Sequence, residues 1–270
     1  METKFYIPTY EECLEIVDKN PQMYFYERKY NIDNYKLSIF GYRYAQYNNF
    51  VLPIISNDEI NALELKGISY VFNDDGSVFN HYLMLHKFWE LNQYEHCTYE
   101  LFKDKEIKNI TTKEDGFLIT YIMLPSGDIV SQTKKGYDQY VNMLANEYIG
   151  KTNYYVFIRE CLLQNIQPIF ELVGEKNCVN RVKYKNPNLI LTKLRCNKTG
   201  KYLDIKDFDT KNISVVKEYK NKYNIDDLLE LKKTVKKIEG WIVHFQDDTI
   251  LKVKTDWWSN QKKKKKHETV

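Results

Sequence analysis

The chain has 270 residues, 43% apolar and 15% aromatic, with 40 basic against 37 acidic residues for a net charge of +3. That composition supports one large core or two modest ones and excludes a disordered chain. Setting aside the run Lys262 to Lys266 turns the balance slightly acidic, so charge alone does not announce a polyanion binder.

The N-terminus, METKFYIPTYEE, lacks a basic start followed by an apolar core, and the longest apolar runs, such as Phe50 to Ile55, fall far short of the roughly 20 residues of a membrane-spanning helix. The cysteines (13, 97, 161, 178 and 196) are odd in number, scattered and free of any CxxC pair. A reducing, cytoplasmic setting away from membranes is the expectation.

Residues 10 to 18 (YEECLEIVD) predict a short helix, and alternation from Tyr35 to Tyr44 predicts a strand. LKGISYVFNDDGSVF predicts two strands joined at Asp74-Asp75-Gly76, and FLITYIMLPSGDIVSQT repeats the pattern around Pro125-Ser126-Gly127-Asp128. Gly136 to Asn165 is helical in composition, with Val141, Leu144 and Ile149 on one stripe and Val156, Ile158, Cys161 and Leu162 on a second. Strands resume at IQPIFELV and LILTKLRC, and Asn197 to Gly200 closes a hairpin. From Asp226 to Ile238, Leu228, Leu231, Val235 and Ile238 recur at helical steps, with acids leading and lysines trailing as the helix dipole favours. TILKVKTDWW is the final predicted strand. No repeat or Pro/Gly/Ser linker divides residues 1–258, and 259–270 is expected to be a disordered basic tail. The sum is an α+β fold with mainly antiparallel sheets flanked by helices.

Lys113-Glu114-Asp115-Gly116 by itself is an ordinary solvated turn. In LKVK, however, the strand period places Lys252 and Lys254 on one face about 7 Å apart, with Leu251 and Val253 turned to the core. Like charges so placed repel unless an anion lies between them. Glu171, within FELV, and Glu239, within IEGW, put carboxylates among apolar neighbours, where an acid is costly unless paired or metal-bound. His81 and His86 lack a third ligand at metal-site spacing. Tyrosine is more often packing or strand surface than a base-stacking platform, although Tyr42, Tyr44 and Tyr47, close to the proposed site, allow some stacking.

The ordered set KEDG (113–116), FELV (170–173), IEGW (238–241) and LKVK (251–254) resembles motifs I, III, IV and V of the covalent nucleotidyltransferases. SIFGYRYAQYNNFVLP, ALELKGISYVF, HKFWELN, TKKG, RCNKTG and KVKTDWW narrow the likeness to the phage RNA ligase 1 family, the tRNA-repair ligases, over about residues 20 to 258. The resemblance implies a nucleotidyltransferase fold over residues 1–258 and an ATP-dependent ligase that joins 5′-phosphate and 3′-hydroxyl RNA ends through a lysyl-AMP intermediate. Lys113 would be the nucleophile and Lys252 and Lys254 would grip the α-phosphate; these cations and bound magnesium would help remove the proton of an amine whose free pKa is about 10.4. Glu239 and Glu171 would serve the nucleotide and Mg²⁺ or Mn²⁺. Tyr42, Lys66, Lys87, Glu114, Asp115, Gly116 and Lys135 would complete the ATP site, with Trp89 as a neighbouring aromatic.

Lys66 stands where the family has Arg, and an ammonium does not copy the bidentate guanidinium fork. The loop after Glu171 (GEKNCVNRVKY) is longer than the family pattern, which is expected to shift Asn180 and Arg181. The sequence looks like a catalytic core without the family's helical C-terminal domain, so a partner protein supplying specificity is one expectation. Nicked tRNA is the implied RNA and a monomer the implied state. An RNA guanylyltransferase using GTP, or a non-catalytic RNA-binding module, are the alternatives.

Overall fold

The computed structural model describes residues 5–19, 24–43, 50, 62–175, 181–219 and 222–267. Tyr44, Tyr47, Cys178 and Asn180, singled out in the sequence, lie outside them. Helix α1 (Tyr10–Asp18) is closed at its start by a capping box between Thr9 and Glu12 and buries Cys13 and Ile16. Strands β1 (Phe25–Ile32), β2 (Tyr35–Tyr42), β3 (Ser69–Phe72) and β4 (Val78–Tyr82) then pair in that order as an antiparallel sheet. β2 is buried on both faces: Leu37 and Ile39 enter one core and Phe40 the other.

β5 (Trp89–Glu90) and the short helix α2 (Tyr99–Phe102) lead to β6 (Ile107–Lys113). β7 (Phe117–Met123) and β8 (Ile129–Thr133) form a hairpin, followed by helices α3 (Gln139–Ile149) and α4 (Thr152–Leu163). β9 (Ile166–Val173), β10 (Asn188–Cys196), β11 (Tyr202–Leu203) and β12 (Ser214–Val215) complete a second sheet of order β11-β10-β9-β7-β8, with β12 parallel to β10. Helix α5 (Ile225–Thr234) precedes β13 (Gly240–Phe245) and β14 (Ile250–Lys254), which join a third sheet of order β5-β14-β13-β6. Helix α6 (Asp256–His267) follows. No helix among the described residues is long and apolar enough to cross a membrane.

One core lies among α1, α5, the first sheet and the third; its members include Phe40, Trp241, Val243, Leu251 and Val253. The other packs the second sheet against α3 and α4 and the outer face of β2. Between β6 and β7 the chain leaves the third sheet for the second, and Lys113 is the last residue before that crossing.

Several expectations are corrected. β1 and β6 were not anticipated, and the helical stretch after Gly136 is two helices that meet at Gly150 and Lys151. Val156 is exposed rather than on the buried stripe, because Tyr154, Phe157, Ile158, Cys161 and Leu162 form the face that meets the sheet. α5 stops at Thr234, since Val235 takes an extended conformation that carries its side chain and that of Ile238 onto the core. The last strand ends at Lys254: the Trp258 N–H donates to the Thr255 hydroxyl at 3.2 Å, and this turn starts α6.

Candidate active site

The third sheet lays out the site in rungs. Lys113, Gly240 and Lys254 stand side by side across β6, β13 and β14, and Thr111, Ile242 and Lys252 form the next rung on the same face. A Cβ on Gly240 would lie 2.0 Å from the Val253 carbonyl oxygen, so only glycine lets the strands approach this closely on the Lys113 rung.

Glu239, only 4% exposed, reaches into this rung: its Oε2 is 2.7 Å from Lys113 Nζ and its Oε1 is 3.8 Å from Lys254 Nζ. Lys254 also lies 3.6 Å from Glu90 Oε2 and 4.5 Å from the Trp258 ring centroid. The turn after Lys113 is clamped from the second sheet. Glu171 Oε1 accepts the Gly116 N–H at 3.0 Å, and a Cβ on Gly116 would stand 2.2 Å from the Leu172 carbonyl oxygen. Asp115 points away from the opening: its Oδ2 accepts the backbone N–H groups of Arg181 (2.6 Å) and Val182 (2.9 Å), while its own N–H donates to the Tyr184 hydroxyl. That hydroxyl donates in turn to Glu114 Oε2 at 2.9 Å.

Lys113, Glu114, Gly116, Glu171, Glu239 and Lys252 all line a cleft of about 640 Å³ between the second and third sheets, with Tyr42, Lys66, Lys87 and Lys135 on its other walls. Asp115 and Lys254 do not line it; they brace residues that do. Basic side chains outnumber acids in the lining. The consequences are visible in their protonation. Burial, with Lys87, Lys254 and Lys113 nearby, brings Lys252 down to about 7. Burial and neighbouring ammonium groups hold Lys66 well below the ordinary lysine range, and the same causes lower Lys87 to about 8. Lys66 Nζ donates to the His86 carbonyl oxygen at 3.2 Å, and Lys87 Nζ lies 4.4 Å from the Trp89 ring and 5.0 Å from that of Tyr42. Burial raises Glu171 to about 7, with Lys113 opposing the rise and Glu239 adding to it.

The sequence reading missed two lysines of this cleft. In the TKKG stretch it chose Lys135; Lys134 lines the cleft as well and interacts electrostatically with Glu171, Lys113 and Glu239, its pKa lowered mainly by desolvation. Lys135 lies at the same lining, with its carbonyl oxygen accepting Arg28 Nη1 at 2.9 Å. Buried Lys193, lowered to about 8 by desolvation, also lines the cleft and rests 3.4 Å from Asn109 Oδ1. His81 and His86 make no metal pair: His86 Nδ1 is bonded to the Tyr202 hydroxyl and His81 Nε2 to the Asn197 carbonyl oxygen. Among the described residues no group of three or more His, Cys, Asp or Glu side chains forms a metal cage.

A lysine at a crossing between two antiparallel-rich sheets, faced by strand-borne cations and by acids from both sheets, marks the nucleotidyltransferase fold. The fold matches two archaeal ATP-dependent RNA ligase structures: form 2 at TM-score 0.61 and form 1 at 0.59, each 13% identical over 87% of this chain and 60% of the other. The RNA ligase family model matches residues 81–267, and the chain belongs to that family. It spans about three fifths of the length of those two structures.

Proposed function

We propose that the protein is an ATP-dependent RNA ligase whose residues 1–258 form the adenylyltransferase unit. The observation that carries this reading is the 2.7 Å pair between Lys113 Nζ and Glu239, set in a cleft of desolvated lysines. Those ammonium groups repel one another until a polyanion enters, and a triphosphate supplies the complementary charge. Lys113 Nζ would attack the α-phosphorus of ATP: the N–P bond forms, the bond to the β-phosphate oxygen breaks, and pyrophosphate leaves as the amine gives up its protons. Lys252, on the rung next to that of Lys113, would neutralise charge developing on the α-phosphate, and Glu239 would orient the amine. Lys254 holds Glu239 and thereby the geometry.

In the second step an RNA 5′-phosphate would take the AMP from Lys113; in the third a 3′-hydroxyl would displace AMP and close the phosphodiester. Glu239 and Glu171, two hard-oxygen donors from different sheets, fit Mg²⁺ or Mn²⁺, ions commonly held by one or two carboxylates together with substrate phosphates rather than by a protein cage. Bound there, the ion would supply Lewis-acid polarisation of the phosphate. A broken tRNA is the RNA substrate this reading favours, with the protein acting as a monomer in the cytoplasm and any further specificity coming from a partner.

Incubation with α-labelled ATP and magnesium is expected to leave label on the protein, and Lys113→Ala to abolish it; persistent labelling of that variant removes Lys113 from its role. Labelling by GTP in preference to ATP would instead favour an RNA guanylyltransferase. Salt-sensitive RNA binding without any covalent adduct would favour a binding module.

A further inference from the structure

Behind the cleft lies a smaller cavity of about 160 Å³ that no step of the proposed reaction uses. Its floor is the rung after Thr111 and Ile242 on the third sheet, where Asn109 stands beside His244, two rungs in from Lys113 on the same face. Lys193 closes it from the second sheet, and Thr111, Thr192 and Lys193 form the wall that it shares with the cleft. Two side chains there are at odds with their burial. Lys193, 7% exposed, forms no ion pair among the described residues, and its hydrogen bond to Asn109 Oδ1 is a long 3.4 Å. His244, 2% exposed, has its Nε2 buried without a hydrogen-bond partner among the described residues; Asp248 Oδ1 stands 3.4 Å away without forming one. Burial and the ammonium groups of Lys193 and Lys108, opposed by Asp247, bring His244 down to about 3, so its ring is neutral, and the Tyr202 ring packs against it edge-on at 5.5 Å. In the Nε2–H tautomer that nitrogen is a donor. The acids of the lining, Asp204 and Glu218, are both turned to Lys206, at 3.5 and 3.0 Å; Lys206 takes Oε1 of Glu218 and leaves Oε2 as an acceptor.

A buried ammonium without a carboxylate and a buried ring N–H without an acceptor both cost stability until an anion supplies what they lack. We infer that this cavity binds a hydrogen phosphate ion, with its oxygens on Lys193, His244 Nε2 and Lys108 at the exposed rim, and its P–OH on Glu218. The cavity is about half the ~300 Å³ at which pockets for drug-sized ligands begin, so it admits one tetrahedral oxyanion and not a nucleotide. Charge gives the same answer. Lys108, Lys193 and Lys206 against Asp204 and Glu218 leave one positive charge in surplus, and it is the buried Lys193 that has no acid. The free oxygen of Glu218 sets the kind of anion: hydrogen phosphate donates its remaining proton to a carboxylate, whereas sulfate, of the same shape and without a proton near neutral pH, would oppose it lone pair to lone pair.

The test titrates the full chain with inorganic phosphate and, separately, with sodium sulfate at matched ionic strength and neutral pH. The imidazole carbon-bound proton signal of His244 is followed by NMR, with His244→Gln identifying it. His244 lines the small cavity and not the cleft, so phosphate resting on the cleft lysines leaves that signal in place. Wild type is expected to show a saturable shift with phosphate and to bind sulfate about tenfold more weakly. Lys193→Met, which removes a buried charge and keeps most of the volume, should abolish the shift. Lys108→Glu, at the exposed rim, should weaken phosphate by about tenfold and keeps the test decisive if a buried variant does not fold. Glu218→Gln should bring phosphate and sulfate to within about threefold of each other. Sulfate bound as tightly as phosphate by the wild type overturns the inference. So does a His244 signal that stays in place while phosphate binding saturates, or an unchanged phosphate affinity in Lys193→Met or Lys108→Glu.

Discussion

Two ion pairs in this molecule use similar groups to opposite ends. Arg195, fully buried, meets both oxygens of Glu64 at 2.7 and 2.5 Å and spends its remaining donors on the carbonyl oxygens of Gly200 and Met84. Each guanidinium nitrogen has an acceptor, and the pair ties β10 to the segment before β3. Lys113 and Glu239 touch through one oxygen at 2.7 Å, at a cleft wall crowded with further ammonium groups. A closed pair holds a fold together; an open pair with surplus cations is ready to exchange its partner for a substrate. The difference lies in saturation, because both acids are almost fully buried.

The largest expected contrast comes from removing one acid of the closed pair. Glu64→Ala strands a buried guanidinium and should destabilise the protein by about 3–5 kcal/mol in urea unfolding, whereas Lys113→Ala, expected to abolish labelling, should change stability by less than about 1 kcal/mol, since Lys254 still faces Glu239. Equal losses would erase the distinction. Next in size is Gly116→Ala: its Cβ would sit 2.2 Å from the Leu172 carbonyl oxygen, so the turn must move, at a cost of about 1–3 kcal/mol. ATP labelling should fall with it, since Lys113 moves with the turn; normal labelling would show that the clamp is not what positions the amine.

Crowding in the open site should also be readable as pH dependence. Burial, and then Lys87, Lys254 and Lys113, bring Lys252 down to about 7 in the folded protein, against the ordinary lysine value of 10.5. Between those values the unfolded chain binds more protons than the folded one, so stability rises with pH from about 7 towards 10. Lys87 and Lys193, each lowered to about 8 mainly by burial, act in the same direction. Lys252→Met should flatten part of the rise in denaturation midpoint between roughly pH 7 and 9; an identical slope in that variant would place the crowding elsewhere. The smallest effect is expected at Val156, exposed on α4, where Val156→Thr should lie within about 0.5 kcal/mol of wild type.

The local sequence determined a good deal. The helix over 10–18 and the turn-bounded strands β7 to β9 follow from short stretches, alternation turned Leu251 and Val253 inward, and the ordered KEDG, FELV, IEGW and LKVK stretches pointed to the residues that converge on Lys113. These features are legible because capping, alternation and charge spacing act over a few residues. Only the tertiary structure decided that Lys134 joins Lys135 at the cleft and interacts with Lys113 and Glu171, and that Asp115 braces the turn from outside the cleft. It also decided that Arg195 belongs to Glu64, and that Arg181 stacks on Trp258 with two donors unmet. Each of these depends on which of two neighbouring side chains a distant sheet or loop leaves facing inward, and on how much water that packing removes. Neither quantity is a property of the local sequence.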